Sequence, residues 1–361
     1  MKKLFSVFVL SFLFCFPLSA MQSLSNEKKE SSKELLQKRV QELEAYLQIR
    51  KNYYSYVPSY RANCYLTIDA LVWTANNHGW PFYYQIGAMD PNNPVLEVKY
   101  KDFHFDGGMR LGFGAKTNYD WEVLFQWTSF WHDISQNRTD SYGLMAAYVP
   151  VSFFKVRAKW DLDYQMIDLE CARPFNAGKC FVLRPHFGIR GGWLDQKGDN
   201  HYEQPTTPPI PGEETVPARA YYKEKMWIVG PRTGFDGDLF FGKTGFSLYG
   251  NLAAALLYAN VNSKLKLWVT EDNVFMQRGT MFSKSNDLKA SLQLAFGFSW
   301  GKFITKGKGV GLRFRTGWEA NYWWNQFQEL IAWNTTNETY TYNLNQPLII
   351  QGAAINARID F

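Results

Sequence analysis

Residues 102–116 read Asp-Phe-His-Phe-Asp-Gly-Gly-Met-Arg-Leu-Gly-Phe-Gly-Ala-Lys. Phe103, Phe105, Gly107, Met109, Leu111, Phe113 and Ala115 fall on one parity; Asp102, His104, Asp106, Arg110 and Lys116 fall on the other. A period of two is the signature of a β-strand, whose successive side chains point to opposite faces. An outward face of aromatic and aliphatic groups set against a charged one fits a strand with lipid on one side and a polar lumen on the other. The next stretch repeats the split, with Trp121, Val123, Phe125, Trp127 and Trp131 against Glu122, Gln126 and Thr128.

Eight further segments read the same way: 62–74, 156–170, 179–193, 224–240, 245–261, 287–301, 309–324 and 348–361. Alternation weakens in 156–170 near Asp168. The connections alternate as well. Short turns are expected near 117–118, 172–178, 241–244 and 302–308, and long polar loops at 75–101, 133–155, 194–223, 262–286 and 325–347, the asymmetry of a barrel with periplasmic turns and extracellular loops. The expected fold is an all-β, antiparallel transmembrane β-barrel of ten strands; a strand hidden in 80–100 or 142–154 would make twelve. Trp121, Trp300 and Phe361 belong to an inner aromatic girdle, and Trp131, Trp193, Trp227 and Tyr322 to an outer one. Pro185 and Pro231 each remove a ladder donor inside a segment. A symmetric hairpin places them roughly opposite each other, where a bulge or weak pairing is expected.

Composition agrees. Among 361 residues, 17% are aromatic and 20% charged, and the mean hydropathy is −0.32, which excludes a bundle of transmembrane helices but suits strands that mix an apolar outside with a polar inside. Lys2 and Lys3, the apolar run from Leu4 to Phe16, and Ser19-Ala20 form an export signal expected to be cleaved near residue 20. Without those two lysines the formal charge falls from +6 to +4, too mild to imply nucleic acid. Residues 21–61 hold a helical segment and a spacer on the periplasmic side: Leu36, Val40, Leu43 and Leu47 follow helical spacing, and Ser31 with Glu34 matches a capping box. This segment is either an association helix or a poorly ordered leader. The barrel proper is expected over 62–361.

The inner face carries both signs: Arg110, Arg184, Arg190, Arg232, Lys289, Arg313 and Arg315 against Glu122, Asp161, Asp163, Asp236 and Glu319, with Asp69, Asp238 and Arg358 on the same face. Such residues set ion selectivity in a conducting pore, or pair across a narrow lumen and fill it. If Arg184, Arg190, Arg313 and Arg315 line one side, a weak anion preference follows. His104 and His132 fall almost opposite each other around a turn, beside Asp102 and Asp106. A solvated polar rim is the plain reading of this cluster, metal binding or hydrolysis the sharper one. No nucleophile elbow or HExxH spacing accompanies it, so no enzyme is expected. No cofactor is implied, and no CxxC pair is present for zinc.

Three cysteines, Cys64, Cys171 and Cys180, follow the signal in an oxidising compartment. A bridge between Cys171 and Cys180 would leave Cys64 for a partner; three reduced thiols are the alternative. Other copies or periplasmic proteins are the expected partners, through disulfides or the N-terminal helix, alongside outer-membrane lipid. The last residues alternate Ala353, Ile355, Ala357, Ile359 and Phe361 with Asn356, Arg358 and Asp360, which resembles the C-terminal strand signal read by the barrel-assembly machinery.

Several stretches together resemble the Legionella-type major outer membrane protein family: Ala70–Trp73, Phe105–Gly114, Tyr119–Trp121, Trp160–Tyr164 and Leu183–Gly191. The resemblance covers roughly 62–361. It implies a barrel in the outer membrane of a Gram-negative-type bacterium, acting as a porin for small polar solutes and ions and as an abundant structural surface protein. The alternative is a closed barrel acting as an adhesin or envelope-linking protein through its extracellular loops. The family supplies no catalytic residues.

Overall fold

The computed structural model describes residues 37–43, 64–77, 83–86, 96–99, 104–117, 120–145, 152–177, 180–204, 216–242, 244–271, 274–304, 310–334 and 339–361. Two compact units divide the chain, Met1–Asn52 and Tyr53–Phe361. In the first, residues 37–43 are helical, with Val40 and Leu43 exposed; the export signal and the rest of the helical segment lie outside the described residues.

The second unit is a closed antiparallel barrel. Its ten staves are β1 (Cys64–Asn77), β4 (Asp106–Lys116), β5 (Glu122–Met145), β6 (Ser152–Ala172), β8 (Phe181–Gln204), β9 (Val216–Phe240), β10 (Phe246–Glu271), β11 (Val274–Phe303), β12 (Gly311–Asn334) and β13 (Thr339–Asp360). Each pairs with its neighbours, β5 with β6 and β13 with β1, so the ring has no free edge. The range 80–100, one of two places for a hidden strand, holds two short ones, β2 (Tyr83–Ile86) and β3 (Leu96–Lys99), which add to the side of β5 and do not enter the ring. A two-residue strand β7 (Phe175–Asn176) pairs with β8 in the 172–178 turn.

The short turns are built as barrel rims require. At 117–121 the Thr117 amide donates to the Trp121 carbonyl at 2.8 Å, and Asp120 adopts a positive φ of 63°. At 241–246 the Phe241 amide donates to the Phe246 carbonyl at 2.9 Å, with Gly242 at φ 58° and Gly245 at φ 84°, angles that only glycine takes at no steric cost. The ring closes at the last residue: the Phe361 amide donates to the Cys64 carbonyl at 3.0 Å, and the Cys64 amide returns the bond at 3.1 Å.

An outward belt of exposed apolar groups includes Leu66, Ile68, Phe113, Phe125, Leu169, Ile189, Leu294, Phe296, Phe298 and Ile355. On β5 it runs from Val123 to Trp131, a length within the roughly 9–11 residues with which a tilted strand spans the hydrocarbon core. Trp193 and Trp227 lie directly opposite each other at its outer border.

Three expectations need correction. The segments 133–155, 194–223, 262–286 and 325–347 are in large part not loops, because β5, β6 and β8–β13 continue through them as paired ladders well beyond the belt. Antiparallel partners satisfy their backbone groups without any need for a lipid face. Pro185 and Pro231 are not opposite each other: Pro185 faces Phe235, and Pro231 faces Ile189. The Pro185 carbonyl accepts from Arg173 at 3.2 Å, so its donor-less nitrogen points to where β6 has already ended at the Ala172–His186 pair. The ladder between β8 and β9, where weak pairing is expected, runs in unbroken register past both prolines; the interruption falls on the other side of β9, whose pairing with β10 lapses at Gly230 and Pro231. Finally, Asp161 and Asp163 do not face the interior. Both are exposed on the outside of β6, while Trp160, Leu162, Tyr164 and Met166 point in.

Candidate functional site in the barrel interior

The parity error on β6 has a physical cause. Even-numbered residues point inward on β6 from Val156 to Ala172, but the apolar parity changes where the strand leaves the membrane. Between the girdles Ile167 and Leu169 look toward lipid, and Asp168 and Glu170 look inward; beyond Trp131, opposite Asp163, the outside is water and the apolar side turns to the interior. The same inversion on β1, β9, β10 and β13 gives the interior two layers.

The layer nearer the short turns is ionic. Arg110 makes a bidentate pair with Glu319, at 2.8 and 3.0 Å, and reaches Asp69 at 3.2 Å. Arg190 grips Asp168 at 2.7 and 2.8 Å. Arg232 pairs with Glu170. Arg184 donates to Glu122 at 2.9 Å and to Asp236 at 2.6 Å. Asp238 takes Arg313 and, at 3.0 Å, Arg315. Gln293 ties these pairs together: its carbonyl oxygen accepts from Arg190 at 3.1 Å and Arg232 at 2.5 Å, while its amide donates to Glu319 at 2.8 Å. Several of these contacts are chords across the lumen. From β4 to β12, from β8 to β11 and from β9 to β12 the ring advances three strands each time. Planar guanidinium groups meeting carboxylates in forked geometry give rigid, directional links.

Of the residues expected on the inner face, Arg110, Glu122, Arg184, Arg190, Arg232, Asp236, Lys289, Arg313, Arg315 and Glu319 lie there, with Asp69, Asp238 and Arg358. Lys289 stands apart from the ionic layer, bonded to the Asn325 carbonyl and 3.7 Å from Asp287. The four arginines of β8 and β12 do not form one cationic side, because three strands separate their staves and each faces a carboxylate. Asp168, Glu170, His186 and Gln293 escaped the sequence reading, the first two because the parity of β6 was reversed. A cavity of about 190 Å³ remains in this layer, lined among others by Tyr65, Arg110, Arg184, Asp236 and Arg315.

Toward the outer end the interior is apolar. Trp73 and Trp323 are both 0% exposed, and they pack with Leu71, Phe130, Trp160, Leu162, Tyr164, Met226, Leu257 and Ile350 in one buried cluster. Trp73 meets Phe130 edge-on at 5.6 Å, and Tyr164 meets Trp323 at 6.0 Å. Beyond it a small polar set closes on Glu224, which accepts from Tyr222 at 2.6 Å and Ser263 at 3.2 Å.

The histidine cluster assembles as the sequence suggests. Asp106 lies 3.0 Å from His104 Nε2 and 2.5 Å from His132 Nδ1, and the two rings stack at 4.8 Å. One carboxylate thus bridges two imidazoles, and the Asp133 amide donates to the same oxygen at 3.4 Å. Asp102 lies outside the described residues. The cysteines do not bridge within the chain. Cys171 is opposite Phe187, seven residues from Cys180, which stands just before β8, about 23 Å on an extended chain and beyond disulfide reach. Cys64 and Cys171 share a row but stand three strands apart; all three thiols are free.

The profile of the Legionella pneumophila major outer membrane protein precursor family matches residues 56–355. The chain belongs to this family. Its place is therefore the outer membrane of Gram-negative bacteria, as the barrel itself requires. No curated protein matches the chain. Among solved structures, it is similar to the outer membrane protease OmpT of Escherichia coli (10% identity, 83% of this chain and 97% of that one, TM-score 0.43). It is also similar to the attachment invasion locus protein Ail of Yersinia pestis (11%, 84% and 100%, 0.22) and the toluene transporter TodX of Pseudomonas putida (8%, 83% and 90%, 0.24). At these identities and scores the likeness carries neither the protease's activity nor the transporter's substrate to this family member.

Proposed function

We propose that this member of the family is a closed outer-membrane barrel, a structural surface protein that acts through its extracellular hairpins. The observation that carries the reading is the apolar layer: Trp73, Trp323, Phe130 and Tyr164, each 2% exposed or less, fill the bore at the outer end. A ten-stranded barrel is narrow enough for side chains to occupy its interior, and a hydrated ion crossing that layer would shed its water. Passive diffusion of small polar solutes is the second reading, favoured by the charged cavity on the periplasmic side; a solute entering there would still have to displace the tryptophans. Phe361, with its side chain exposed to lipid at the closing seam, is the contact offered to the assembly machinery. With no bridge inside the chain, the three thiols are available to link copies or periplasmic proteins.

Planar-bilayer recording of the folded, heat-modifiable protein at several salt concentrations tests the closed reading. The wild-type chain is expected to give no steps that scale with salt, and Trp73→Ala combined with Trp323→Ala is expected to open them. Discrete salt-scaled steps from the wild-type chain would transfer the function to solute diffusion.

A further inference from the structure

Beyond the outer girdle, the outward positions of three adjacent staves are basic or neutral. They are Lys225, Lys223 and Tyr221 on β9, Asn262, Lys264 and Lys266 on β10, and Asn286, Lys284 and Phe282 on β11. Registers place Lys223 directly opposite Lys264 on one side and Lys197 of β8 on the other, so three lysines stand in one row across three strands. Like charges directly opposite each other in a sheet are destabilising. The acidic groups nearby are on β8 and β6: Asp195 reaches Lys225 at 4.0 Å, Asp199 is held by Arg219 at 2.6 and 2.7 Å, and the outward Asp161 of β6 lies directly opposite Lys197. Lys197 thus has a carboxylate beside it, but Lys223 and Lys264 face each other, and the partner of Lys264 on its other side is Phe282; this pair, with Lys225, Lys266 and Lys284 around it, calls for an external anion.

Position decides which anion. The row lies four residues beyond the Trp193–Trp227 pair, about 13 Å along a tilted strand, where lipid headgroups lie. Below it the same face is apolar, with Val229, Leu256, Tyr258, Leu288 and Leu294 exposed to the bilayer. Within it Phe282 is 72% exposed, its ring 4.8 Å from Lys264 Nζ, an arrangement suited to an amphiphile with chains below and charge above. We infer that the outward face of β9–β11 binds the phosphate groups of an anionic outer-leaflet lipid through Lys223, Lys225, Lys264, Lys266 and Lys284. This does not depend on whether the lumen conducts.

The test uses the full-length protein in dodecyl maltoside micelles, with diphosphorylated lipid A as probe, dephosphorylated lipid A and inorganic phosphate as comparison arms, and native mass spectrometry as readout. The diphosphorylated lipid is expected to be retained, more weakly as sodium chloride is raised, and the dephosphorylated lipid to be lost. At about fivefold per lysine beside an anionic surface, the Lys223→Gln, Lys264→Gln, Lys284→Gln triple variant should bind about a hundredfold more weakly. Lys159→Gln on β6 should bind like the wild-type chain. Heat-modifiable mobility checks that the variants are folded, and the salt series on the wild-type chain tests the charge dependence without any variant. Equal retention of the dephosphorylated lipid, a folded triple variant that binds normally, or binding indifferent to salt would each overturn the inference. Displacement of the lipid by millimolar inorganic phosphate would assign the row to a soluble anion instead.

Discussion

Arg110 is held by Glu319 through two bonds, by Asp69 through a third and by Thr128 at 3.0 Å, and its guanidinium lies 5.4 Å from the Trp73 ring centre. It therefore sits at the junction of the ionic and apolar layers. Replacing it with methionine removes the cation and leaves two buried carboxylates facing each other. Breaking a buried pair from one side costs about 3–5 kcal/mol, so Arg110→Met is expected to lower the unfolding free energy of the lipid-reconstituted barrel by that amount, obtained from urea titration followed by tryptophan fluorescence. A loss below about 1 kcal/mol would mean that water already reaches the pair. Small residues matter here for a complementary reason: a Cβ at Gly114 would fall inside the ring of Tyr65, which itself lies 3.5 Å beneath Arg358. Residue identity in this layer is thus set by what must fit across the bore.

Among the elements, the long hairpins change most between sequence and structure. Residues 194–204 of β8 and 216–226 of β9 remain in unbroken register beyond the girdle, from Trp193–Trp227 to Gln204–Val216. Their inner face continues the core with Leu194, Tyr202, Ala220 and Met226. Ladder bonds backed by a packed face open only with larger units of structure. Hydrogen exchange of the folded barrel is therefore expected to show protected amides at 196–203 and 218–226, comparable with the membrane-embedded part; exchange within seconds would mean that these segments are loops after all. On β12 the register breaks between Trp323 and Phe327, where Asn325 takes φ 50° and Gln326 turns fully inside. Asparagine is among the few residues that accept this conformation, so the irregularity is encoded, although a pattern search for alternating residues passes over it.

At the scale of the whole molecule, the rim nearest the short turns collects the three thiols without letting them meet. Cys180 is exposed, while Cys64 and Cys171 are half-buried on the outward side of their strands. Reactivity follows access to thiolate. Treatment of reduced outer-membrane vesicles, permeabilised to the reagent, with a maleimide-polyethylene glycol is expected to give a first, fast adduct lost in Cys180→Ser, followed by slower ones. Under oxidising conditions, higher bands that disappear with reductant would mark links between chains. Equal rates for all three thiols would contradict the arrangement at the rim.

The barrel, its ten staves, the closing strand at Phe361 and most of the charged inner face are legible in the residue order, because lipid on one side and a polar interior on the other impose a period of two. The same order also brought His104, Asp106 and His132 to one place, since a short hairpin leaves few registers. Which parity of β6 faces in is fixed by the folded barrel, because apolar and polar sides exchange meaning where the outside changes from lipid to water. The folded barrel alone decided that the arginines meet carboxylates across the lumen and not one another along one wall, and that a tryptophan layer fills the outer bore. Many of those contacts join strands that are not neighbours around the ring, and a distance across a closed barrel has no counterpart in the order of residues along the chain.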